Sequence, residues 1–291
     1  MIVPWLKGEG GAEVPEGAYV HGYGEREAQR LLDQADSVMD LVHRDTEFPS
    51  GSMVLEVGCG VGAQTVTIAS QSPGARIVSF DKAHNSATLA AQRVRAAGLQ
   101  DVHVLTCDLF AAPFEPKSFD CIFVSYLLEH LPDPVGALVS LSTLLRPGGE
   151  VLVVEGDHGS CYFHPSTPEA VRVWKCLIQV QSELGGDSQI GRRLHPLLNA
   201  AGFEDVRVSP RMVYADSSRP RVQDQFVMKT IVPMVEGVRD QALADGLMSS
   251  TEWDTGIGDL KSTGSDPEGT FCYTFFKAWG RKPTKPLGSA F

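Results

Sequence analysis

The sequence has no C-x-x-C pair among its six cysteines, no internal repeat, no surplus of positive charge, and no unbroken apolar run of about 20 residues that would cross a bilayer as a helix. Each absence removes a class of protein. Cys59, Cys107, Cys121, Cys161, Cys176 and Cys272 lack metal-ligand spacing. Four of them (Cys59, Cys107, Cys121, Cys272) lie in or beside apolar runs, where a reduced thiol behaves as a small hydrophobe. No metal centre or disulfide framework is expected. Met1 to Leu6 is followed at once by Lys7-Gly8-Glu9-Gly10-Gly11, so no apolar stretch of signal-peptide length forms and the cytoplasm is the expected location. Lys and Arg number 25 against 36 Asp and Glu, and the resulting net charge of -11 repels phosphate backbones and anionic membranes. Neither nucleic acid nor membrane is an expected partner.

What is present is the composition of a globular protein, 43% hydrophobic and 21% charged over 291 residues. That length allows two domains at roughly 150 residues each, but the patterning argues for one α/β core with additions. Residues 1–17 are rich in Gly, Glu and Pro and carry no period. Over 24–45, Ala28, Leu31, Leu32, Ala35, Val38, Met39 and Val42 recur at three- and four-residue steps, which predicts an amphipathic helix. Residues 1–48 therefore read as an N-terminal arm and helical flap, and an arm of this kind suits exchange between subunits of a homo-oligomer.

From residue 49 the period changes. Short apolar runs at 53–57, 75–80, 102–106, 119–125 and 150–155 alternate with helical stretches such as 86–97, the pattern of a parallel sheet covered on both faces. Helices are expected at 168–184 and 190–201, and strands at 206–215 and 270–280. Between these strands a helical piece at 223–245 precedes a Gly- and Ser-rich turn region. The segments 157–189 and 216–265 read as cap insertions on a domain covering 49–291.

The densest chemistry lies in Glu56-Val57-Gly58-Cys59-Gly60-Val61-Gly62-Ala63. Glycines after a buried strand allow a tight turn and close backbone approach to a ligand. Gly58, Gly60 and Ala63 satisfy the G-x-G-x-x-G/A dinucleotide pattern. Asp81 lies 23 residues after Gly58, where a carboxylate accepts from ribose hydroxyls. On the loop alone a nicotinamide dinucleotide competes with other ligands.

The combination is more specific. Glu56-x-Gly58-x-Gly60-x-Gly62, Phe80-Asp81, Cys107-Asp108-Leu109, Phe119-Asp120, Leu128-Glu129-His130-Leu131-Pro132 and Leu145-Arg146-Pro147-Gly148-Gly149 occur in that order. Together they resemble the motifs of class I S-adenosylmethionine (SAM) dependent methyltransferases, in the small-molecule branch that includes the ubiquinone and menaquinone biosynthesis enzymes. The resemblance covers about residues 50–156 and has a weaker echo in Leu198-Asn199-Ala200-Ala201-Gly202-Phe203. It implies a Rossmann-like seven-stranded sheet, mostly parallel with one antiparallel strand, with helices on both faces. It also implies SAM as cofactor: Gly58, Gly60 and Gly62 against its methionine part, Asp81 at the ribose diol and Asp108 at the adenine amino group. Glu56 would order the loop or meet the SAM amino group through water, and Cys59, Lys82 and Leu109 complete the implied cofactor-binding set. Asp81 as a helix N-cap and Asp108 as a turn aspartate are the plainer alternatives.

Two clusters lie outside these motifs. Tyr19-Val20-His21-Gly22-Tyr23-Gly24 interleaves aromatics with glycines, as a closing flap does. Tyr23 is a candidate donor to the SAM carboxylate, and Tyr19 and His21 are candidate acceptor contacts; a hydrophobic staple on the first helix is the rival reading. Residues 155–164 follow the fifth strand, and ligands of open α/β sheets sit beyond the carboxyl ends of strands. There His158, with an ordinary pKa of about 6.5, is the candidate base, against a rival role as a cap or brace.

Methyl transfer is an in-line displacement that mainly requires holding the acceptor atom about 3 to 3.5 Å from the methyl carbon and excluding water. The expected activity is transfer to an O, N or C atom of a small, apolar or aromatic metabolite. An NAD(P)-dependent oxidoreductase and a non-catalytic SAM-binding protein are the competing expectations.

Overall fold

The computed structural model describes residues 25–284, with side chains from residue 29 onward. The arm at 1–17 and the three flap candidates Tyr19, His21 and Tyr23 lie outside the described residues. Seven strands, β1 (Met53–Val57), β2 (Arg76–Asp81), β3 (Val102–Thr106), β4 (Phe119–Ser125), β5 (Leu145–His164), β6 (Glu204–Ala215) and β7 (Thr270–Arg281), form one sheet. Their order is β3-β2-β1-β4-β5-β7-β6. The first five pair in parallel, and β7 lies antiparallel between β5 and β6. This is the expected mostly parallel sheet with one antiparallel strand. β1 is buried along its whole length, as a central strand covered on both faces must be.

Helices α1 (Glu25–His43), α2 (Ala63–Gln71), α3 (His84–Ala96), α4 (Pro134–Leu144), α5 (Pro168–Glu183) and α6 (Leu194–Ala200) connect or cover these strands. Two cores result. One face of the sheet packs Leu55, Val57, Phe80, Ile122, Val124, Leu138, Leu141 and Val153 under α4 and α6. The other packs Val54, Ile77 and Phe123 with the inner stripe of α1, Val38 and Val42, and with the cap. α6 ends at Gly202, φ +84°, with the Phe203 amide bonded back to the Leu198 carbonyl and the ring buried, as the Gly-Phe pair predicts.

The strand order reverses between β1 and β4, so the loops beyond their carboxyl ends diverge and leave a crevice there. α7 (Pro220–Val222), a π-helical run Gln223–Ile231, α8 (Val232–Glu236), α9 (Arg239–Ala244) and α10 (Ser250–Ser265) form a cap beside it.

Two elements differ from the sequence expectation. β5 does not stop near residue 155 but continues to His164, because β7 pairs with it as far as His164↔Thr270. The register slips between Asp157 and Tyr162, so 158–161 bulge from an otherwise continuous ladder. Second, the Gly- and Ser-rich region is α10, a helix of 16 residues. Ser249 caps it by accepting from the Glu252 amide at 3.3 Å, while Glu252 accepts from the Ser249 amide at 2.8 Å. Its glycines serve packing: a Cβ on Gly256 would lie 2.6 Å from the Glu169 carbonyl oxygen on α5.

Candidate functional site

At the head of β1 the chain turns through Gly58, Gly60 and Gly62, with φ of +70°, +53° and +79°. Gly62 is required twice over, since any Cβ there would also meet the Ala90 Cα at 2.9 Å. The loop is tied to β2 by the Cys59 amide donating to the Phe80 carbonyl at 2.9 Å and the Gly60 amide donating to Asp81 Oδ2 at 2.8 Å. Asp81 Oδ1 accepts from the Ala83 amide at 2.9 Å, so each oxygen orders backbone and keeps lone-pair capacity for a ligand. Burial pushes the Asp81 carboxyl up from its ordinary range.

Glu56 lies beneath the loop, 1% exposed. Ser79 donates to its Oε2 at 2.6 Å, while Oε1 is buried without a partner. Burial raises its pKa to about 7 against the opposing Ser79 hydrogen bond. At the end of β3, Asp108 caps a single 3-10 turn by accepting from the Phe110 amide at 2.8 Å, and Lys82 Nζ approaches its Oδ2 to 3.4 Å. Leu109 is half-buried against the core, and Cys59 is a buried thiol that desolvation keeps protonated. Glu56, Gly58, Cys59, Gly60, Gly62, Asp81, Lys82, Asp108 and Leu109 thus converge at the carboxyl ends of three adjacent strands. The convergence fits the cofactor. An orphaned buried carboxylate oxygen suits an ammonium group, two carboxylates suit a diol and an exocyclic amine, and above Gly60 the nearest atom to a hypothetical Cβ is Leu31 Cδ1 at 3.9 Å.

His158 is not in that group. It sits in the β5 bulge and lines a cavity of about 50 Å³ between the ends of β4 and β5, α1 and the π-helical run. The walls include Arg30, Leu31, Tyr126, Glu129, Phe226 and Tyr273. The Phe275 ring, also on the wall, lies 5.6 Å from that of Tyr126 and 4.9 Å from that of Tyr273. The His158 amide donates to the Ser188 carbonyl at 2.8 Å, its carbonyl accepts from Trp174 Nε1 at 2.8 Å, and its Nδ1 lies 2.8 Å from Tyr273 Oη. Asp157 anchors the bulge, taking two hydrogen bonds from Arg192 at 2.7 and 2.8 Å and one from the Gly159 amide at 2.9 Å. Burial lowers the His158 pKa and keeps the ring neutral.

Sequence reasoning did not single out Arg30, Tyr126 or Tyr273, and it named Glu155 only as the start of the 155–164 cluster. Glu155 braces the turn after β4, accepting at Oε1 from the Leu127 and Leu128 amides at 3.0 and 2.8 Å. Burial, reinforced by Glu129, pushes its carboxyl well up. Tyr126 holds the left-handed conformation, φ +53°, and Arg30 comes from the apolar-striped α1. Tyr273 carried a readable signal, since it alternates with Phe271 and Phe275 on one face of an aromatic strand and is the member with a polar tip. Among the described residues no group of three or more His, Cys, Asp or Glu is placed to hold a metal, and no helix is long and apolar enough to cross a membrane.

A family model described as a methyltransferase domain matches residues 55–153, from β1 into β5. An uncharacterised protein from a Streptomyces fradiae transposon is 29% identical over 80% of this chain and 61% of its own length. A demethylmenaquinone methyltransferase from Bacillus cytotoxicus is 28% identical over 57% of this chain and 76% of its own length. Among solved structures, a Haemonchus contortus phosphoethanolamine N-methyltransferase in complex with SAM superimposes with a TM-score of 0.53 at 20% identity, covering 86% of this chain and 52% of that one. The chain therefore spans about three-fifths of the Streptomyces protein and half of the Haemonchus one.

Proposed function

We propose that this chain, whose residues 55–153 match a methyltransferase domain, is a class I SAM-dependent methyltransferase that moves the SAM methyl group to an oxygen, nitrogen or carbon atom of a small, apolar or aromatic metabolite, secondary or quinone-like. SAM bound there would supply an electrophilic sulfonium methyl group for an electron pair of the acceptor. The chain's own part is placement. In this reading Gly58, Gly60 and Gly62 offer backbone to the methionine end, and Glu56 Oε1 offers a carboxylate to its ammonium. Asp81 takes the ribose diol and Asp108 the adenine amino group, with Cys59, Lys82 and Leu109 around them. Tyr23 at the SAM carboxylate, and Tyr19 and His21 at the acceptor, complete the proposal from outside the described residues.

One observation carries the assignment of the acceptor to the aromatic cavity. Leu31 lines that cavity and is also the side chain nearest to a Cβ position on Gly60, so cofactor loop and cavity share a wall. A methyl group above the loop would face Tyr126, Phe226, Tyr273 and Phe275, which exclude water from the displacement.

The test is ligand-induced stabilisation followed by acceptor capture. SAM or its demethylated product should raise the melting temperature by several degrees at about 100 times the dissociation constant, equivalent to roughly 2.7 kcal/mol. Incubating the protein with methyl-labelled SAM and cell extract should then place the label on a small molecule found by mass spectrometry. No stabilisation by either ligand, or label confined to protein or nucleic acid, sinks the reading.

A further inference from the structure

The hydrogen inventory of His158 and Tyr273 determines which imidazole nitrogen carries its proton, and with it what the cavity can bind. The 2.8 Å contact between Tyr273 Oη and His158 Nδ1 is the only hydrogen bond that either ring's polar atoms make among the described residues, and His158 Nε2 is buried without a partner. Tyr273 is 2% exposed, and burial, helped by the charge of Glu129, pushes its phenol well above the ordinary range, so it keeps its hydrogen. The His158 ring, 5% exposed, is neutral and has one hydrogen to place.

Two arrangements remain. If Nδ1–H donates to Tyr273, the phenol hydrogen has no acceptor and the Nε2 lone pair has no donor, leaving two buried polar groups unsatisfied. If Tyr273 donates to Nδ1, only Nε2–H is unsatisfied. The second prevails, because each unmade buried hydrogen bond costs the full desolvation of its group.

We propose that Tyr273 locks His158 as an Nε2–H donor in the cavity, where with the Tyr126 hydroxyl it binds a carbonyl, enolate or phenolate oxygen of the methyl acceptor. The name of the ligand rests on the methyl-transfer reading; the tautomer does not. Polar groups on the cavity wall support the same ligand chemistry. Tyr126 Oη is buried and makes no hydrogen bond among the described residues. The acidic member, Glu129, already accepts from Gln181 Nε2 at 3.1 Å and lies 3.7 Å from His130 Nε2. Among the described residues on this wall, His158 Nε2 and the Tyr126 hydroxyl are the buried side-chain atoms left without a partner.

The backbone around His158 is built to hold this arrangement. A Cβ on Gly156 would lie 2.3 Å from Tyr273 Oη, so the absent side chain is the slot through which the phenol reaches Nδ1. The Ser188 and Trp174 hydrogen bonds fix the ring's backbone from both sides. His158 becomes a specificity-determining donor that stabilises charge on the acceptor oxygen, in place of the base expected from sequence. Tyr273, which touches only His158 among these polar groups, is a positioning residue.

Nitrogen-15 spectra of the full chain labelled at histidine, with the His158 signals assigned through His158→Gln, read the tautomer directly. The expected result is hydrogen on Nε2 and a bare Nδ1 across neutral pH in the wild type, with Tyr273→Phe producing a mixture of tautomers. Hydrogen on Nδ1 in the wild type overturns the proposal. Formate, an oxygen ligand small enough for the cavity, should displace the Nε2–H signal, while chloride at equal ionic strength should not; an unmoved signal overturns the ligand class. SAM binding is measured on the same samples by thermal shift. A protein that binds SAM with hydrogen on Nδ1 overturns only this inference, whereas one with hydrogen on Nε2 and no response to SAM overturns the methyl-transfer reading.

Discussion

The Gly60 amide and Asp81 Oδ2 are 2.8 Å apart, which makes the loop after β1 and the end of β2 a single unit. Asp81→Ala removes the acceptor for that amide, the bond to the Ala83 amide and the proposed seat of the ribose diol together. Hydrogen bonds to charged groups contribute about 1.5–3 kcal/mol each, so SAM affinity should fall by roughly tenfold to several-hundredfold. Calorimetric titration measures this; unchanged affinity would remove Asp81 from the cofactor site.

Glu56 makes stability depend on pH in a direction that its burial fixes, against the Ser79 hydrogen bond. Its folded-state pKa, raised from 4.5 to about 7, means that the unfolded chain gives up this proton first as pH rises. Stability is therefore full below about pH 4.5, is lost between there and about 7, and is flat above. At about 1.4 kcal/mol per pH unit, the loss is up to about 3 kcal/mol. Glu56→Gln should match the wild type in urea unfolding near pH 4.5 and exceed it near pH 8, while binding SAM more weakly for want of a carboxylate facing the ammonium. A stability difference of equal size at both pH values would contradict the burial argument.

The residues that made the fold legible are those whose neighbours in space are near in sequence. The glycine turn, Asp81 and Asp108 each follow a short apolar strand, and period plus turn chemistry place them at one end of the sheet. The His158–Tyr273 pair depends on two strands 115 residues apart and on a bulge that no local pattern marks. Sequence therefore singled out His158 as a candidate but could not choose its role. Glycine was misleading at 256 and 264, where it reads as a turn and instead admits a neighbouring element. Lys277 shows the same limit. Alternation puts it on the buried face of Phe271, Tyr273 and Phe275, but no local pattern marks the partners that let a charge be fully enclosed there: Asp45, Thr46 Oγ1 and the Val42 carbonyl, to all of which it donates.

Asp45 holds two enclosed cations, Lys277 at 2.7 Å and Arg211 at 2.5 Å, the latter 7% exposed. Asp45→Asn keeps the shape and removes the charge. Breaking a buried pair from one side typically costs about 3–5 kcal/mol, and since Asp45 itself is partly open to water the expected loss is about 2–3 kcal/mol. Lys277→Met in the Asp45→Asn background should recover part of it, because the stranded ammonium is gone. Additive losses in denaturant unfolding would show that the pair is not coupled.

Two glycines on α10 separate helix propensity from packing. Gly258 has nothing within 4 Å of a hypothetical Cβ, whereas Gly256 would place one 2.6 Å from the Glu169 carbonyl oxygen and 2.7 Å from Val173 Cγ1. Replacing glycine by alanine inside a helix stabilises it by about 1 kcal/mol when space permits, so Gly258→Ala should raise the melting temperature by a few degrees. At Gly256 the same gain meets an overpacking penalty of about 1–3 kcal/mol, and the contacted atom is α5 backbone, which cannot turn aside as a side-chain tip would. Gly256→Ala should therefore lower the melting temperature. Because α5 carries Trp174, whose indole nitrogen donates to the His158 carbonyl, it should also change the fluorescence of that tryptophan. Equal stabilisation by both substitutions would show that α5 and α10 are not held as close as their glycine contact requires.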